Sequence, residues 1–217
     1  MSECSSVPLS RQDIKRLSRD RLKANNGSCI GVYVLLAACV ALAATAPIGL
    51  LTIFITPVLA VSGCLYYLNN YLGGTPSVAD CFSGTFDNYL RKLGGMLWMY
   101  LWELLWSLLF VIPGIVKGFS YMMTPYILGA HPNVTAKSAL KLSMRITNGY
   151  KMDLFVAVLS FLGWELLSAL TFGILEILFV GPYRSITFAG IYSELEKSAL
   201  DRNIISPEML DGTMEVY

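Results

Sequence analysis

Five ionisable residues stand in stretches otherwise built of apolar side chains: Glu103, Lys117, Glu165, Glu176 and Arg184. A charge near the middle of a bilayer costs about 2.5–3.5 kcal/mol even on the lenient insertion scale, so each needs a partner, water or a neutral form. Two chemistries fit. One is a substrate or proton pathway; the other is interhelical pairing, with Glu165 or Glu176 meeting Arg184 across the last hairpin. Glu103 and Glu165 also share a local string, Trp-Glu-Leu-Leu, at Trp102–Leu105 and Trp164–Leu167. Folding each hairpin back on itself brings Glu103 level with Thr124, before Pro125, and Glu165 level with Val180, before Pro182. Each proline lacks an N–H and frees the carbonyl four residues earlier, at Tyr121 and Leu178. A carboxyl group in apolar surroundings tends toward its neutral form and can then donate a hydrogen bond. Glu103 and Glu165 are therefore expected to act as protonated clasps on paired kinks, with proton-linked movement as the alternative.

Composition narrows the rest. The chain has 217 residues, 55% of them hydrophobic and 14% charged, where a soluble domain carries about 25% charged. Sixteen basic residues against fifteen acidic ones leave a net charge of +1, which is no footprint for nucleic acid. Cys4, Cys29, Cys39, Cys64 and Cys81 form no C-x-x-C pair and read as small apolar fillers. His131 is the sole histidine, and no metal site or cofactor is expected. No G-x-S-x-G, H-E-x-x-H, Walker or G-x-G-x-x-G motif occurs, so the chain does not read as an enzyme. What remains is an all-α, polytopic membrane protein.

The elements that must position these residues follow from hydropathy. Residues 1–28 form a basic cytoplasmic segment with an amphipathic helix opening at Ser10 and Asp13, Ile14 and Leu17 sharing its apolar face. No charge occurs between Lys23 and Asp80, which predicts a first hairpin over 29–68 turning at Pro47-Ile48-Gly49 and kinked at Pro57. Ala37, Ala41 and Thr45 repeat every fourth residue and predict close packing there. Residues 76–92 read as an interfacial amphipathic helix bearing Val78, Phe82, Phe86, Tyr89 and Leu90 on one face. Span three follows at 93–112, broken by Pro113 and Gly114, and span four at 115–130. Residues 133–148 carry a basic stripe, Lys137, Lys141 and Arg145, opposite Ala139, Leu142 and Ile146. That stripe is expected on anionic inner-leaflet lipid, where each basic residue contributes about 1 kcal/mol. Spans five and six are expected at 152–172 and 174–192, joined by a turn at Gly173. The six-span domain thus covers 29–195, and the polar tail over 196–217 is expected to be loosely ordered.

Residues 76–130 and 132–192 also read as two copies of one unit in the same direction. Each opens with Pro-x-Val (Pro76, Val78; Pro132, Val134), enters a span through Trp-Glu-Leu-Leu, and closes on Pro-Tyr (Pro125-Tyr126; Pro182-Tyr183). Asp13-Ile-Lys15, Ile112-Pro-Gly-Ile115, Ser160-Phe-Leu-Gly-Trp-Glu-Leu-Leu167 and Gly181-Pro-Tyr183 together resemble the bacterial integral membrane family catalogued as domain of unknown function 975. The resemblance covers about residues 10–195. It implies a six-span inner-membrane protein of a Gram-positive bacterium and no catalytic residues.

Basic residues set the expected orientation. With both termini and both amphipathic loops in the cytoplasm, every Lys and Arg except Lys117 lies on or toward the inner side. Two functions remain. The first is an accessory or protective protein of the cell envelope, acting in stress or resistance to membrane-active peptides, with a membrane protein such as an exporter as partner. The second is a small transporter or channel using the buried glutamates at proline-broken helices. A continuous polar path through the bundle favours the second; a packed core with lipid-filled side grooves favours the first.

Overall fold

The computed structural model describes residues 11–45, 49–109, 111–214 and 216, and among these the chain is all-helical. Ser10, Cys4 and the turn at Pro47-Ile48 lie outside the described residues, as do the side chains of Thr45 and Pro113.

The first helix, α1 (Arg11–Ala24), buries Ile14, Ser18 and Leu22. Four-residue spacing places these on one stripe, while Leu17, expected beside Ile14, is 39% exposed. A sharp bend of 93° at Asn25 leads into α2 (Asn26–Thr45). Helix α3 (Gly49–Tyr71) runs on through Pro57. Three donors from α1–α3 converge on the carbonyl of Pro76: Asn25 Nδ2 at 3.3 Å, Ser28 Oγ at 3.2 Å and the Tyr66 hydroxyl at 3.4 Å.

The expected helix over 76–92 is not continuous. A short α4 (Val78–Phe82) is capped by Asp80, which accepts from the Ser77 N–H at 2.7 Å and hydroxyl at 2.9 Å. Those bonds hold the Asp80 carboxyl below its usual pKa. Gly84 and Asn88 then take positive φ, 72° and 52°, which an α-helix cannot accommodate. Phe86 and Leu90 consequently stand 75% and 80% exposed.

Helices α5 (Tyr89–Leu109) and α6 (Val111–Tyr121) form the next hairpin. As described, α6 opens at Val111, two residues before Pro113-Gly114. Both sit in the first turn of α6, where backbone N–H groups lack helical partners and a proline is tolerated. Gly114 serves the hairpin differently: a Cβ there would lie 2.8 Å from Ser107 Cα, so only glycine allows this approach. The expected fourth span is divided at Met122–Met123, and α7 (Thr124–Ala130) carries Pro125 in its first turn.

Helix α8 (Ala136–Ile146) is capped by Thr135, whose Oγ1 accepts from the Ser138 N–H at 3.3 Å, and buries Ala139, Leu142 and Ile146 as expected. Helix α9 (Lys151–Leu170) ends in a turn at Phe172 and Gly173, with φ of 53° and 81°. A π-helical turn, Glu176–Val180, precedes α10 (Gly181–Asp201). The tail is folded rather than loose. After α10 comes α11 (Pro207–Leu210), and Ile205, Leu210 and Val216 are buried. Lys141 Nζ donates to the Val216 carbonyl at 2.8 Å, and Arg145 Nη1 reaches Met209 Sδ at 3.7 Å. Two members of the basic stripe therefore engage the tail, and Lys137 lies 5.8 Å over the Trp98 ring.

Helices α3 and α10 are central: α3 meets α2, α5, α7 and α10, and α10 also meets α1. The exterior is the apolar side. Leu104, Leu108, Leu162, Leu166, Leu170 and Phe172 are exposed, and large exposed apolar side chains of this kind mark protein- or membrane-contact surfaces. Two helical stretches, Thr52–Tyr71 and Lys151–Leu170, are long and apolar enough to cross a membrane, or three if the bent α1–α2 pair is one span. By length and apolarity the expected six spans are not confirmed among the described residues. The fourth is split, α5 carries Lys92 and Glu103, and the far half of α10 is charged. The Tyr89 hydroxyl also donates to the Phe54 carbonyl at 2.9 Å. Six full-length hairpin spans would hold those residues about 20 Å apart in depth.

Candidate functional site

The end of α9, the π-turn and the start of α10 bring three of the five ionisable candidates together. Arg184 donates through Nη1 to Glu165 Oε1 at 2.5 Å, and its Nη2 lies 3.4 Å from Glu176 Oε1. The same Glu176 oxygen accepts from the Tyr33 hydroxyl of α2 at 3.0 Å. One guanidinium thus stands between two carboxylates from α9 and the π-turn, with a phenol closing the ring. Glu176 Oε2 is buried and has no hydrogen-bond partner among the described residues.

Local sequence explains the geometry. Pro182 removes a donor from the helix, and a π-turn is one way to absorb the lost register. Gly181 lets Tyr33 in: a Cβ there would sit 2.2 Å from Tyr33 Cζ. Aromatic rings sheathe the cluster. Trp164 lies 5.9 Å from Phe179, and Tyr183 is 5.5 Å from both Phe161 and Phe179.

The pairing of Glu165 and Glu176 with Arg184 is the interhelical arrangement expected from the sequence. The neutral clasp is not formed. Glu165 faces a cation instead of a freed carbonyl, and Glu103 makes no hydrogen bond among the described residues. Its Oε1 lies beside Gly118, 3.2 Å from where a Cβ would be. Lys117 is apart as well, 5.1 Å over the Trp106 ring and 6.0 Å from that of Tyr121. An aromatic face accepts a cation in place of a carboxylate.

Three lateral grooves meet around the break between α6 and α7. One of about 340 Å³ is lined by Glu165, Arg184, Ser185, Cys64, Pro125 and Tyr126. A second, about 510 Å³, lies between α2 and α3 and shares Cys64, Tyr126 and Ser185 with the first. Ala37 and Ala41 line it, so that small-residue stripe leaves a groove where close packing was expected. The third, about 480 Å³, holds Glu103 and shares Met122 and Pro125 with the first. Apart from these charges the walls are mostly apolar.

Sequence reasoning missed Tyr33, whose one signal is a phenol in a charge-free span. It also missed Arg91, which donates to the carbonyls of Leu128 (2.6 Å), Val134 (2.7 Å) and His131 (3.3 Å) and so caps the end of α7. His131 Nε2 in turn meets Glu196 Oε1 at 2.9 Å.

An all-helical bundle with an apolar exterior and a charged cluster facing it is a membrane-associated class of protein. Residues 108–199 are similar to the family described as "Protein of unknown function (DUF975)". The matched segment holds Glu165, Glu176 and Arg184 but neither Glu103 nor Tyr33. No curated protein and no solved structure matches the chain.

Proposed function

We propose that this is a non-enzymatic integral membrane protein of the bacterial cell envelope with an accessory or protective role against membrane-active molecules. The observation that carries the reading is the set of apolar lateral grooves converging on the α6–α7 break. Grooves of this kind admit acyl chains or amphipathic molecules from the side. In this reading the chain is multi-pass in the inner membrane, with both termini cytoplasmic, as the distribution of Lys and Arg suggests. The first hairpin and the two expected repeats together supply the walls, and no cofactor takes part. A partner membrane protein, such as an exporter, docks on the exposed apolar flank.

A specific observation favours the transporter as second reading. Irregular backbone precedes both Pro125 and Pro182, at matching places in the two repeats, and charges stand at both. Broken helices at corresponding positions are where transporters place their sites.

Deleting the gene and challenging cells with cationic membrane-active peptides tests the proposal. Sensitivity should rise, wild-type protein should restore resistance, and Ala37→Trp, which fills the α2–α3 groove, should fold but fail to restore it. Unchanged sensitivity, together with proton flux in proteoliposomes that Glu103→Gln abolishes, would replace it with the transporter.

A further inference from the structure

A different part of the molecule carries a binding site of its own. Helix α1 lies against α9 and α10, and a cavity of about 300 Å³ opens between them. Its apolar lining is Ile14, Val156, Ala157 and Ile191; Arg11, Gln12, Lys15, Ser160 and Thr187 complete it. Along that edge of α1 the cations Arg11, Lys15 and Arg19 recur every fourth residue, so all three face the same way.

Their partners do not balance them. Arg11 lies 3.5 Å from Asp153 on α9. Lys15 meets no carboxylate: its Nζ donates to Ser160 Oγ at 2.7 Å and stands 5.1 Å over the Phe161 ring. Arg19 stacks 6.0 Å over Tyr183. Among the described residues, three cations thus meet one carboxylate. Burial, and then the charges of Arg11 and Arg19, push the Lys15 pKa down. An anion in the cavity would relieve that strain.

We propose that the cleft between α1, α9 and α10 binds one anionic glycerophospholipid, its phosphate held by Lys15 and Arg11 and its glycerol and first acyl carbons laid on Val156, Ala157 and Ile191. A soluble anion has no use for the apolar lining. That lining continues onto the exposed α9 surface at Val156 and Leu159, 41% and 45% exposed, where the acyl chains would run. The site rests on the membrane reading above, and it differs from the basic stripe of α8, whose Lys141 and Arg145 are engaged by the tail.

Native mass spectrometry of the full chain, released from phosphatidylcholine nanodiscs containing a minor fraction of phosphatidylglycerol, tests it. The protein should retain one phosphatidylglycerol in preference to phosphatidylcholine. Lys15→Gln should cut that preference about fivefold and the Lys15→Gln, Arg11→Gln pair about thirtyfold, at about 1 kcal/mol per basic residue. Lys15→Arg should keep it, and so should Lys197→Gln, whose partner is Glu194. An undiminished preference in Lys15→Gln would overturn the site, as would displacement of the lipid by millimolar inorganic phosphate. A chain that does not enter these discs would instead overturn the membrane reading itself.

Discussion

Trp102-Glu103 on α5 and Trp164-Glu165 on α9 open the same four-residue string, Trp-Glu-Leu-Leu, yet the two glutamates live differently. Glu165 is ion-paired to Arg184, and Glu103 rests beside Gly118 without a hydrogen bond or ion pair among the described residues. The difference traces to one position. After Pro182-Tyr183 comes Arg184; after Pro125-Tyr126 comes Ile127, fully buried in the apolar core. The helices that follow diverge accordingly. Helix α7 ends within seven residues at Ala130, while α10 runs for 21 residues to Asp201. A repeated acidic residue therefore does not imply a repeated role, because the partner across the hairpin decides it.

The comparison can be broken most sharply at Arg184. Arg184→Leu would leave Glu165 and Glu176 without their shared cation in apolar surroundings. We expect a loss of about 3 kcal/mol in reversible unfolding in bicelles. Gly181→Ala should act next, by about 2 kcal/mol, since its methyl group must expel Tyr33 and with it the hydroxyl on Glu176. Thermal unfolding with a fluorescence readout would register it. The smallest effect belongs to Glu103→Leu, which should leave unfolding within about 0.5 kcal/mol of wild type, as a residue without a polar partner does. A clear destabilisation there would restore the clasp that the geometry removes.

Much of this was legible in the sequence, and the reasons for the rest are physical. Helices α2, α3 and α9 begin and end within a few residues of their hydropathy limits, and the Gly173 turn and the buried face of α8 fall as periodicity predicts. The pairing of Glu165 and Glu176 with Arg184 could be argued from chain order alone, because all three lie in one hairpin. Periodicity failed over 76–92, where apolar spacing fits a helix but Gly84 and Asn88 adopt left-handed backbone. It was silent on the tail, whose buried Ile205, Leu210 and Val216 are too sparse to make a pattern. Tyr33 lies 143 residues from Glu176, and a helical pattern reports which face a residue occupies, not which distant element will cover it.

The central claim is that Glu165 and Arg184 act as a coupled pair for which Glu103 has no counterpart. A double-mutant cycle tests it most directly, with Glu165→Gln, Arg184→Gln and the double variant unfolded reversibly in bicelles. A parallel cycle pairs Glu103→Gln with Arg184→Gln. The first should give a coupling of at least about 1 kcal/mol, and the second none beyond about 0.3 kcal/mol. Additive effects of Glu165 and Arg184, or equal coupling in both cycles, would contradict the account.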